Sequence, residues 1–105
     1  MRALAVTSPA RLPSLPDIPA VAETVPGYEA SVFYGMSAPK GTPPDIVAIL
    51  NAAVNEALHD PKLVARLAET GGIPKPMTPA EFGKLVADET AKWRKVVEFA
   101  GVSVD

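Results

Sequence analysis

Residues 28–58 read YEASVFYGMSAPKGTPPDIVAILNAAVNEAL, and the fold turns on how this stretch is taken. Its first part, 28–39, is dense in β-branched and aromatic residues around Val32, Phe33 and Tyr34, which predicts a strand. Alternation sends Val32, Tyr34, Met36 and Ala38 to one side and Phe33 and Gly35 to the other, so both faces are largely apolar. Such a strand belongs inside a sheet covered on both sides, as in α/β proteins. Pro39, Gly41 and Pro43-Pro44 then stop it. Thr42 stands at an N-cap position, Pro43 at the first helical position and Asp45 in the first turn, where a carboxylate complements the helix dipole.

Working outward, the 105 residues allow one domain at most, or a piece of one. The composition is globular, 48% hydrophobic and 21% charged, and a net charge of −2 gives no sign of a nucleic-acid or membrane surface. With no cysteine there is no disulfide, thiolate metal site or thiol catalysis. No charged leader precedes an apolar run, and no segment approaches the length of a membrane span, so no signal peptide or transmembrane helix is read. The chain opens directly on strand-like residues, Arg2 to Thr7, as if at the cut edge of something longer.

Toward the N-terminus, residues 1–8 predict a short strand, with Leu4 and Val6 on one side and Ala3 and Ala5 on the other. Residues 9–27 carry prolines at 9, 13, 16, 19 and 26 with Leu12, Leu15 and Ile18 between them. This spacing describes an extended surface crossover pinned by its apolar side chains rather than a polyproline recognition motif. Pro19 to Thr24 has room for one helical turn.

Toward the C-terminus, residues 43–70 predict two helices. The first turns Ile46, Val47, Ile49, Leu50, Ala53, Val54, Ala57 and Leu58 inward and Asn51, Asn55 and Glu56 outward. Asp60 and Pro61 start the second, Lys62 to Thr70, which Gly71 ends. Gly72 to Met77, interrupted by two prolines, is an edge strand or an extended connection. Thr78 and Glu81 form a capping box that opens a long helix, 79–100, stopped by Gly101. Its buried stripe is expected to be Phe82, Leu85, Val86, Trp93, Val96, Val97 and Ala100. There is no internal repeat.

Chemistry is sparse. His59 is the single histidine, without a second metal ligand nearby, and reads as an exposed or junction residue. Serines 8, 14, 31, 37 and 103 lack a nucleophile-elbow context, and no phosphate-binding glycine loop occurs. Lys92, Arg94 and Lys95 suit the C-terminal half of a helix. Glu89 falls on the apolar stripe one turn before Trp93 and therefore needs a partner, a backbone N–H or an arginine. Phe33-Tyr34-Gly35 either packs in the core or lines a cleft with the tyrosine hydroxyl as its polar handle. No catalytic residue, metal site or cofactor site is expected. Binding and structural roles remain.

The concatenation RALAVTS, LPDIPAVAE, PGYEASVFYGMSAPKGTP, LNAAVNEALHDP, TPAEF and ETAKWRKVVEFAGV resembles the extracytoplasmic solute receptors of tripartite tricarboxylate transporters, the Bug-type receptors. The similarity runs in order through essentially the whole chain. It implies the C-terminal part of a two-lobe, type II periplasmic-binding-protein fold, α/β, with about three helices and two or three strands. The same resemblance implies a periplasmic location, a small organic carboxylate as ligand, permease subunits as membrane partners and no chemistry. By the family pattern, 1–8 is a hinge-side strand, 28–39 a strand of the first lobe and 79–100 the closing helix. Thr7, Phe33 and Tyr34 are the expected ligand-binding residues, with backbone N–H groups of loops and helix starts taking much of the carboxylate. Ala20 stands where the family often has threonine, which costs one loop hydrogen bond. With only the C-terminal portion matched, two roles stay open: a carboxylate receptor, or a truncated structural protein that self-associates through exposed strands. The exposed strands imply a homo-oligomer, and the net charge of −2 implies no nucleic-acid partner.

Overall fold

The computed structural model describes residues 2–102; Met1, at the start of the expected first strand, and residues 103–105, with Ser103 among them, lie outside that range. The chain forms two compact units. One is built from the residues up to Pro39 together with Pro61–Ile73, the other from Lys40–Asp60 together with the residues from Pro74 onward.

The described residues form three α-helices: α1 (Pro44–Ala57), α2 (Pro61–Glu69) and α3 (Pro79–Ala100). They do not form the expected strands. Among the described residues β pairing is confined to one isolated parallel bridge, Val6 with Ala20. Val6 donates its N–H to the Pro19 carbonyl at 2.9 Å, and its own carbonyl accepts from Val21 at 3.0 Å. Residues 28–39 belong to no strand, and Gly72–Met77 is likewise a connection. A strand is a property of a pair, and the residues described here offer 28–39 no ladder to join.

In the first unit the proline-rich segment closes on itself. The short 3-10 helix Val21–Glu23 fills the one-turn stretch expected after Pro19. Ala20 is the one buried residue among those described, at 2% exposure. Its small side chain sits where the bridge to Val6 brings two backbones together. α2 begins at Pro61 as its sequence dictates. Its end is set by Gly71, whose φ of 76° places it in the left-handed region. From there the Gly72 N–H returns to the Leu67 carbonyl at 2.8 Å and the Gly71 N–H to that of Ala68 at 3.0 Å, satisfying the last carbonyls of the helix.

In the second unit α1 packs against α3. The N-cap of α1 is Pro43, not Thr42: its backbone is extended (φ −55°, ψ 140°), and Pro44 takes the first helical position. A proline pair accommodates this readily, because neither residue has an N–H to lose. The inward face of α1 also departs from expectation. Val47, Asn51, Val54, Asn55 and Leu58 are half-buried, while Ile46, Ile49 and Leu50 are exposed. Asn51 and Asn55 therefore point inward, because the helix is apolar nearly all round and its periodicity does not single out one face. α3 opens on the expected capping box. Thr78 Oγ1 accepts from the Glu81 N–H at 3.2 Å, and the Glu81 carboxylate accepts from the Thr78 N–H at 2.8 Å. Gly101, at φ 63°, ends it.

Candidate functional site

Thr7, Phe33 and Tyr34 all fall in the first unit. The Thr7 side chain is exposed and its carbonyl accepts from the Ala30 N–H at 3.0 Å, which ties the end of the first segment to the residues leading into Phe33. Phe33 is 43% exposed and Tyr34 96% exposed. Phe33 and Tyr34 are thus presented on the surface, with the phenol of Tyr34 facing solvent. The Thr7–Ala30 hydrogen bond joins the backbones of the two segments.

The cation nearest Thr7 in sequence beyond the bridge is Arg11, and it is already engaged. Its Nε and Nη2 donate to the two oxygens of Glu23, each at 2.8 Å, and Nη1 donates to the Pro16 carbonyl at 3.1 Å. Glu23 in turn accepts the Ala20 N–H at 2.9 Å. The Arg11 hydrogen bonds, then that from Ala20, hold the Glu23 carboxyl down to about 2. The bidentate pair raises the Arg11 guanidinium above its ordinary value. This clasp fastens the proline-rich loop around the buried Ala20. Sequence reasoning missed it, because the partners sit twelve residues apart across a run of prolines that hides their proximity.

The second unit holds an open depression of about 500 Å³ lined by Thr42, Pro44, Val47, Ala48, Asn51, Ala52 and Pro79. Its chemistry is poor for a carboxylate. Pro43 and Pro44 remove two of the N–H groups with which a helix start binds anions, and Asp45 adds a negative charge there. The Asn51 amide is spent on the Met77 carbonyl at 2.8 Å. Asn55 completes that clamp, donating to the same carbonyl at 3.0 Å while its oxygen accepts the Met77 N–H at 3.3 Å. The pair holds the connection immediately before the α3 N-cap, so its role is structural.

On α3, Glu89 has found its partner, though not a backbone N–H or an arginine. The Trp93 indole donates to its carboxylate at 2.9 Å, and the Lys92 ammonium lies 3.3 Å from it and 5.5 Å from the indole centroid. Trp93 is 39% exposed, so it lies at the edge of the packing and not within it. His59 is exposed, as expected, its Nδ1 donating to the Asn55 carbonyl at 2.6 Å at the end of α1. Among the described residues no group of histidine, aspartate and glutamate is placed to hold a metal, and no helix is long and apolar enough to cross a membrane.

Comparison with known proteins agrees along the whole length. Residues 1–102 match the model of the tripartite tricarboxylate transporter family receptor. A protein from the tcbD–tcbE intergenic region of Pseudomonas sp. (strain P51) is 39% identical over 99 residues, 92% of this chain and 30% of that protein. BugT of Bordetella pertussis is 37% identical over 105 residues, 99% of this chain and 32% of its own length. A third relative, from the clcB–clcD intergenic region of Pseudomonas knackmussii, is 38% identical and is covered over 59% of its length. The chain thus spans from about a third to somewhat over half of the relatives it matches. No solved structure matches it. Unbroken from residue 1 to residue 102, the match means that this chain belongs to the tripartite tricarboxylate transporter receptor family.

Proposed function

We propose that the chain serves as part of a periplasmic solute receptor that binds a small organic carboxylate and hands it to membrane permease subunits, with no catalytic step. The observation that carries this reading is the family match across residues 1–102, which takes in both compact units. Within the first unit, the exposed Thr7 and the phenol of Tyr34 offer neutral hydroxyl donors. Phe33 adds an apolar wall of the kind small-molecule sites use. Neutral donors suit a receptor that must release its ligand, since a desolvated cation would hold a carboxylate more tightly.

Calorimetric titration of the chain with citrate, succinate and benzoate tests the proposal. Saturable binding of at least one of them is expected, weakened about tenfold by Tyr34→Phe through loss of a hydrogen bond to a charged group. Absence of heat with all three, or binding that Tyr34→Phe and Thr7→Ala leave unchanged, contradicts it.

A further inference from the structure

Backbone hydrogen bonds fix the chain on both sides of Thr7. Its neighbour Val6 donates to the Pro19 carbonyl at 2.9 Å and accepts from the Val21 N–H at 3.0 Å, while the Thr7 carbonyl accepts from Ala30 at 3.0 Å. Pro19 and Val21 flank Ala20, so residues 6 and 7 stand where the turn at Ala20 puts them. That turn has little of its own to hold it. Its 3-10 helix, Val21–Glu23, is a single short turn, and the methyl group of Ala20, at the N-cap, offers no acceptor.

The missing cap is supplied from the far side. The Glu23 carboxylate reaches back to the Ala20 N–H at 2.9 Å. Arg11 holds the carboxylate in that pose, with Nε and Nη2 at 2.8 Å from its two oxygens. The guanidinium is itself anchored, because Nη1 donates to the Pro16 carbonyl at 3.1 Å. Ser8 Oγ donates to the Ala10 carbonyl at 2.7 Å and so shapes the short link from Thr7 to Arg11. All of these groups lie within the first unit.

We propose that Arg11 is a positioning residue of the solute site: through Glu23 and the Ala20 turn it sets the place of Thr7, and with it the affinity for a carboxylate that Arg11 itself does not contact. The inference rests on the reading of Thr7 as a solute contact. Arg11 suits positioning better than capture, since Nε, Nη1 and Nη2 all have partners. A single fork bonds to both Glu23 oxygens and to Pro16 at once, which an ammonium, as a point charge, does not reproduce.

Calorimetric titration with citrate, succinate and benzoate tests this on the parent chain and on its Arg11→Lys, Thr7→Ala and doubly substituted forms. Arg11→Lys keeps the charge and loses the fork, and is expected to weaken binding about threefold. Once Thr7→Ala has removed the hydroxyl, Arg11→Lys is expected to weaken binding no further, because the two act through one contact. The Val6 and Val21 amides are expected to exchange with solvent about threefold faster in Arg11→Lys, as the turn opens more often. Equal weakening by Arg11→Lys with and without Thr7→Ala would show a general role in the fold and overturns the inference. So does an unchanged affinity, or amides that exchange as in the parent. A parent chain that gives no heat with any of the acids removes the functional reading and this inference with it. Binding that Thr7→Ala weakens and Arg11→Lys spares removes this inference alone.

Discussion

At Asn55 a single side-chain amide accepts from one backbone group of Met77 and donates to the other, at 3.3 Å and 3.0 Å. Among neutral side chains of this length only asparagine supplies both functions. Asn55→Ala therefore leaves the Met77 N–H without this acceptor in a half-buried place, at an expected cost of about 1–2 kcal/mol in urea unfolding. Asn51→Ala should cost less, because the Met77 carbonyl keeps its bond from Asn55. Equal losses in the two variants would show that the clamp is not shared in this way. Glu23 makes a second residue-level claim. Its carboxyl titrates near 2, below the ordinary 4.5, so its contribution to stability is fully present above about 4.5 and is lost as the pH falls through about 2. Carboxyl NMR should place the Glu23 midpoint well below 4.5, and Arg11→Ala should return it toward that value. A midpoint unmoved by Arg11→Ala would mean the Ala20 N–H alone holds it down. Trp93, being 39% exposed, should cost well under the roughly 3–5 kcal/mol of a buried indole when replaced by alanine, as urea melts can check.

At the scale of the element, the helices were legible and the strands were not. α2 and α3 announce themselves through local punctuation: Pro61 at a start, Thr78 with Glu81 as a box, Gly71 and Gly101 at left-handed ends. Each signal acts within one turn, so sequence proximity is enough to read it. Thr78→Ala should accordingly cost about 1 kcal/mol of stability, while Thr78→Ser should cost little. A silent Thr78→Ala melt would place the start of α3 elsewhere. Residues 28–39 carry the composition of a strand, but a ladder needs neighbours, and composition does not say where those come from. α1 shows the complementary failure. Being apolar nearly all round, it revealed that it was a helix without revealing that Asn51 and Asn55 lie on its inner side.

For the molecule as a whole, the resemblance in the ordered motifs carried further than any single residue, because it draws on the entire chain at once. The family was legible in that way, and residues 1–102 match its model. The site was less so. Thr7 and Tyr34 bring donors without a charged anchor, and nothing in their spacing marks them as ligand contacts. The Arg11–Glu23 clasp, the best-formed polar constellation in the first unit, is built by tertiary closure of a proline-rich loop and leaves no periodic trace in the sequence. Carboxylate binding is thus the claim on which the functional account rests. Amide NMR of the labelled chain, titrated with citrate and succinate, tests it most directly. Saturable shifts concentrated at Thr7, Phe33 and Tyr34 are the expected result. Spectra that stay fixed at those residues, or that move instead around Thr42, Val47 and Ala48 in the second unit, would contradict it.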